Sequence, residues 1–146
     1  MIIPHNRIIF GAPGTGKSFK LDKDKSVFGD NYERVTFHPN YSYSQFVGSY
    51  KPKPKKNGNG DEYVSYEFVP GPFLRTWVNA QKSLKDNDGK SHLLIIEEIN
   101  RANVAAVFGD VFQLLDRKAD GTSEYEISTT EDIRKYLIEE HYFTID

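Results

Sequence analysis

Apolar positions along the chain fall into short runs, and the spacing inside each run predicts its conformation. Arg7-Ile8-Ile9-Phe10 reads as a short buried strand. A helix of two to three turns is expected from about Lys17, closed by the turn signal Gly29-Asp30-Asn31. Tyr32 to Phe37 is rich in β-branched and aromatic residues and predicts a second strand, which His38-Pro39-Asn40 breaks. His38 is read as a packing or capping residue in preference to a ligand contact. Ser42, followed three residues later by Gln45, is a helix-start signature. Tyr63 to Val69 alternates as a strand, expected to form an insertion hairpin with the segment before the Lys51–Gly60 stretch. Phe73, Leu74, Trp77, Val78 and Leu84 have helical spacing and predict a helix to about Lys85, with Trp77 in the core.

Leu93 to Ile96 are four consecutive aliphatic residues, the mark of a central parallel strand buried on both faces. Asn103 is a candidate cap for a helix from Val104 to Leu115, with Val107, Phe108, Val111, Leu114 and Leu115 as its apolar stripe. Ser123 to Ile127 is an expected hairpin arm. Thr129 or Thr130 caps a last helix, Glu131 to Glu140, with Ile133, Tyr136 and Leu137 facing inward.

Composition narrows the class. The 146 residues suffice for one domain with a real core and not for two. The net charge of −2 steers the chain toward no particular polyanion. With no cysteine, disulfide frameworks and thiolate metal sites are excluded, which suits a reducing cytoplasm. Met1-Ile2-Ile3-Pro4 is too short for a signal peptide, and no apolar run approaches the ~18 residues of a membrane helix. Lys51 to Gly60 combines lysine, proline and glycine and predicts a solvated, mobile loop, with residues 51–69 as a loop or hairpin insertion. Its four lysines have no interleaved aromatics, so solubility is favoured over nucleic-acid contact.

The candidate chemistry sits at two places. Gly11-Ala12-Pro13-Gly14-Thr15-Gly16-Lys17-Ser18 fits G-x-x-x-x-G-K-[ST] between a predicted strand and a predicted helix. The glycines permit backbone angles that turn successive N–H groups inward onto phosphate oxygens. The helix start adds its positive end. Lys17 supplies a point charge for the terminal phosphates, and the Ser18 hydroxyl is a candidate Mg²⁺ ligand. Upstream, Ile3 and Pro4 are either an apolar wall for a nucleotide base or a tail packed on the sheet edge. The second place is Glu97-Glu98, at the C-terminal end of the aliphatic strand, where α/β sheets bind ligands. There Glu97 is a candidate metal residue, directly or through water, and Glu98 a candidate for activating the attacking water. Read alone, the two acids are equally a solvated strand end.

These two anchors and their spacing resemble the AAA+ class of P-loop NTPases. Val35-Thr36-Phe37-His38-Pro39-Asn40-Tyr41-Ser42-Tyr43-Ser44-Gln45-Phe46 is similar to the Phe-His-x-x-Tyr-Ser-Tyr-x-x-Phe segment of the McrB family, the GTP-driven motor subunits of modification-dependent restriction systems. Ile95-Ile96-Glu97-Glu98-Ile99-Asn100-Arg101-Ala102-Asn103 resembles that family's Ile-Ile-Asp-Glu-Ile-Asn-Arg-x-Asn block, and Val107-Phe108-Gly109-Asp110 continues it. The likeness runs from about Asn6 to Asp116. Glu97 stands where the family usually has Asp, and Ala12 where it often has Pro.

The resemblance implies a three-layer α/β/α core with parallel strands in the order 5-1-4-3-2. Arg7–Phe10, Glu33–Phe37 and Leu93–Glu97 would be strands one, two and three. The family's Met-Asn-x-x-Asp strand and helical lid are expected beyond the segment present here. The expectation is therefore a single partial AAA+ domain over residues 1–146, its sheet incomplete unless Tyr142–Ile145 or a partner strand fills the gap. By resemblance it would bind ATP or GTP with Mg²⁺ and, in complete form, assemble a homo-oligomeric ring. That ring would couple hydrolysis to a nuclease partner subunit acting on DNA, touching DNA only indirectly, in the cytoplasm and without a membrane. Arg101 would contact a neighbouring subunit or hold the loop after Glu98. The alternative is a non-catalytic module that binds nucleotide or docks into a ring. A small-molecule P-loop kinase is disfavoured, since no acceptor-site segment is apparent.

Overall fold

A computed structural model describes residues 6–141 of the chain. Its frame is a parallel pair of strands, β1 (Tyr32–Thr36) and β4 (Leu93–Glu97), in register from Tyr32 opposite Leu93 to Thr36 opposite Glu97. Register partners share a face of a sheet and neighbours along a strand alternate. Arg34, Ile95 and Glu97 therefore lie on one side, and Glu33, Val35, Leu94 and Ile96 on the other. Helix α1 (Lys17–Lys25), none of whose residues is buried, reaches the first side through Asp22, which meets Arg34 at 3.3 Å. Helix α3 (Pro72–Asp86) covers the second, where Arg75 Nε donates to Glu33 Oε1 at 3.1 Å. Helices on opposite faces of a parallel sheet make the three-layer α/β/α arrangement expected from the sequence. The adjacency of β1 and β4 matches the expected neighbours two and three.

The core forms where the chain leaves β1. Phe37, Phe46, Val47, Val107, Phe108 and Val111 are buried together, and Val35, Leu94 and Ile96 of the sheet pack on them. Phe37 stacks on Tyr41 with ring centroids 4.7 Å apart and meets Phe46 edge-on at 5.5 Å. The one-turn helix α2 (Tyr43–Phe46) presents Phe46 to this cluster. It starts as predicted, with the Ser42 N–H donating to Gln45 Oε1 at 3.0 Å. Gly71 lets α3 begin against the end of α2, because a Cβ there would stand 2.2 Å from the carbonyl oxygen of Phe46. A second cluster joins Leu74 and Val78 of α3 to Leu137 of α5 (Glu131–His141), with Trp77 and Tyr136 packed beside it.

Several expectations are corrected. Arg7–Phe10 forms no strand, and Ile8 and Phe10 are 79% and 90% exposed. A strand exists only through a neighbour, and among the described residues the parallel sheet contains β1 and β4 alone. In the expected order the first strand touches neither of them. For the same reason β4 is half-buried, with only Ile95 fully buried. The helix from Val104 stops at Phe108 as α4, and Gly109 turns out of it at φ 51° before a 3-10 stretch runs to Leu115. Tyr43 packs against this turn, its ring 3.3 Å from where a Gly109 Cβ would sit. Ser123 makes a single bridge to Arg117, short of a hairpin. Leu84 is exposed at the last turn of α3. Residues Ile3, Pro4 and Tyr142–Ile145, on which two expectations fall, lie outside the described residues.

The loop expected over Lys51–Gly60 is half strand. Gly48–Lys56 forms β2 and pairs antiparallel with β3 (Glu62–Pro70), leaving only the turn at 57–61 irregular. Two prolines are compatible with this because Pro52 and Pro54 are two residues apart. Both can place their missing N–H on the free side of an edge strand. Alternation gives the hairpin two faces. Tyr50, Pro52, Pro54, Val64, Tyr66 and Phe68 share one, and Lys51, Lys53 and Lys55 share the other with Glu67.

Lys53 bonds Glu67 at 2.9 Å and Lys55 also pairs with it, which together hold the Glu67 carboxyl down at about 2. A depressed carboxyl pKa favours the folded hairpin above the ordinary glutamate range, and that contribution is lost as pH falls toward 2. An NMR titration of Glu67 should show a midpoint near 2. Replacing Lys53 and Lys55 with Ala should return it to the range of a free glutamate. An unmoved midpoint would show that these lysines do not hold it.

Candidate nucleotide site

The first half of the site is a glycine cradle that runs into a helix. Gly14 and Gly16 adopt φ 79° and 77°, in the left-handed region that side chains avoid, and beyond the adjoining backbone nothing lies within 4 Å of where either Cβ would stand. Gly16 is the N-cap of α1 and gives it no side-chain cap. The first N–H groups of a helix have no partner inside it, so here they face outward with the positive end of the dipole. Thr15 Oγ1 donates to Ala12 O at 2.7 Å and tightens the loop. Lys17 Nζ folds back to donate to Gly11 O and Ala12 O, each at 2.7 Å. Ser18 is exposed in the first turn of α1, as is Pro13 in the loop. This exposed loop, with its amides, one ammonium and one hydroxyl, has the groups that suit a phosphate chain.

The second half is the end of β4. Glu97 is partly exposed and held by Arg34, whose Nη2 donates to Oε1 at 3.1 Å and whose Nε meets Oε2 at 3.0 Å. Glu98 is exposed and takes φ 54°, ψ 36°, a left-handed conformation that costs a non-glycine residue on the order of 1–3 kcal/mol. A turn from Ile99 to Arg101 follows, in which the Arg101 N–H donates to Glu98 O at 2.9 Å. Asn103 Oδ1 then accepts from the Ala106 N–H at 3.2 Å and starts α4, as its sequence position predicts. Among the described residues no hydrogen bond joins Lys17 or Ser18 to Glu97 or Glu98. The two halves are linked instead through Asp22 of α1 and Arg34 of β1. From sequence, Asp22 falls in the expected first helix and Arg34 in the expected second strand, with no role at the site for either. The signal that would have found Arg34 is parity, since the parallel register puts it on the face of Glu97.

A glycine-rich loop leading into a helix on a parallel α/β frame fits a P-loop domain of the AAA type. Residues 6–131 match the AAA domain (dynein-related subfamily), and the chain belongs to that family, in its McrB-like part. It is 47% identical to the type II restriction enzyme BsuMI component YdiS of Bacillus subtilis (strain 168), over 92% of this chain and 44% of that protein. It is 30% identical to the type IV methyl-directed restriction enzyme EcoKMcrB subunit of Escherichia coli (strain K12), over 99% of this chain and 30% of that protein. The chain thus spans less than half the length of these curated relatives. Among the described residues no helix is long and apolar enough to cross a membrane.

Proposed function

We propose that this domain is the nucleotide-binding core of an AAA+ NTPase that drives a DNA restriction or phage-defence complex. The observation that carries the reading is the continuity from the left-handed Gly14 and Gly16 into the uncapped start of α1, with Lys17 and Ser18 in its first turn. Gly11 to Ser18, including Ala12, Pro13 and Thr15, would hold the phosphates of ATP or GTP. The oxygen donors of Ser18 and Glu97 suit a hard cation, and Mg²⁺ held there would neutralise phosphate charge. Glu97 would serve it through water, because Arg34 already engages both of its oxygens. Glu98 would orient and deprotonate the attacking water. Its left-handed backbone turns the side chain's position away from the run of the strand, and such strain collects at functional sites.

In a complete ring, copies of the chain would face one another's nucleotides, and a nuclease subunit would act on DNA in the cytoplasm. A second reading, a docking module without turnover, is favoured by the edge of β4 that pairs with no strand among the described residues and by the exposed Ile8 and Phe10. Binding of fluorescent ATP and GTP analogues, followed by phosphate release with and without an added ring partner, separates the two. Binding together with partner-stimulated release supports the NTPase core. Binding with no release under any condition supports the module.

A further inference from the structure

We infer that Arg34 is a positioning residue that keeps Glu97 a water-mediated partner of the metal, not a direct ligand, and ties that carboxylate to the phosphate-binding helix. The inference rests on the reading of Glu97 as a metal residue. Its own ground is the geometry of three side chains on one face of the sheet. The Arg34 guanidinium forks onto both oxygens of Glu97, at 3.1 Å and 3.0 Å, and its third nitrogen reaches Asp22 of α1 at 3.3 Å. All three are partly exposed, so solvent and ions have access to them.

A carboxylate has about four lone-pair positions, and a forked guanidinium occupies two of them in its own plane. The remaining two can accept from water. A cation bound directly to an oxygen would have to compete with the guanidinium for it. Glutamate is one methylene longer than aspartate and, if free, would reach farther from the end of β4. The fork counters that reach by drawing the carboxylate back along the sheet toward β1. Lysine at this position would keep the charge and lose the two-pronged geometry. Through Asp22, the same residue couples the orientation of α1, and hence of the cradle, to the state of Glu97.

The test is the Mg²⁺ dependence of nucleotide binding, read by fluorescence of a labelled ATP or GTP without reference to turnover. The proteins are the wild-type chain, R34Q, R34K, E97Q and R34Q/E97Q, each checked for folding by circular dichroism. Freeing a carboxylate from a partly exposed pair is worth up to about fivefold in an equilibrium. R34Q should therefore lower the Mg²⁺ concentration needed for half of the metal effect by about fivefold, with nucleotide affinity in EDTA within about twofold of wild type. R34K should shift it in the same direction by less. E97Q should raise the Mg²⁺ requirement, and on that background R34Q should have no further effect. Should R34Q fail to fold, R34K compared with wild type decides the matter alone. An equal change with Mg²⁺ and with EDTA, no change, or a shift that persists beside E97Q would overturn the role given to Arg34. An unchanged Mg²⁺ requirement in E97Q would instead overturn the metal reading of Glu97 itself.

Discussion

Replacing Lys17 with alanine is expected to abolish nucleotide binding while leaving the fold intact. Its ammonium now donates to the carbonyl oxygens of Gly11 and Ala12, each at 2.7 Å, on an exposed loop. Those carbonyls can turn to water once the lysine is gone, so stability should change by no more than about 0.5 kcal/mol. The bound state differs. There the ammonium would exchange carbonyl partners for phosphate oxygens, and charge-assisted hydrogen bonds contribute about 1.5–3 kcal/mol each. Losing two such contacts corresponds to roughly a hundredfold or more in affinity. Glu98→Gln should bind as tightly as wild type, because the side chain is exposed and its proposed role is confined to the attacking water. Titration with a fluorescent ATP or GTP analogue measures both variants. Unchanged affinity in the lysine variant would remove the phosphate role from this loop.

Much of the frame was legible because it depends on local pattern. The aliphatic run Leu93 to Ile96 marks a strand, and β4 spans Leu93–Glu97 as read, although only Ile95 of it is fully buried. The Ser42–Gln45 start and the Asn103 cap are signals spread over three residues, and both form. The glycine turn before α1 was legible for the same reason, since Gly14 and Gly16 stand where the loop takes left-handed angles. What failed depended on partners distant in sequence. Ile8-Ile9-Phe10 carries strand propensity, yet propensity supplies no neighbour to bond with. Lys51 to Lys56 looks like a loop by composition, but Tyr63 to Phe68 opposite it provides a ladder that two spaced prolines do not block. Arg34 and Glu97 are joined across the sheet, and no local motif announces a pair that only the register creates.

The largest effect on behaviour in solution should come from the edge of β4 that has no strand partner among the described residues. Studied on its own, the 146-residue chain is expected to self-associate, and charged substitutions at Ile8 and Phe10 should return it to a monomer. Those two side chains are 79% and 90% exposed, and among the described residues no strand pairs with β4 on the side away from β1. Burying an isoleucine and a phenylalanine contributes about 1.5–3 kcal/mol each. Each backbone group that then finds a partner recovers about 0.5–1.5 kcal/mol. Against these stands the entropic cost of association, at least about 4 kcal/mol. The balance favours association in the micromolar to millimolar range, not a tight dimer. Sedimentation equilibrium across that range should show a mass that rises with concentration for wild type and stays monomeric for Ile8→Asp combined with Phe10→Asp. Hydrogen exchange locates the contact, with Leu94 and Ile96 amides more protected at high concentration if β4 is the docking edge. A wild-type chain that remains monomeric throughout, with β4 amides fully protected, would mean that this edge is already covered within the chain.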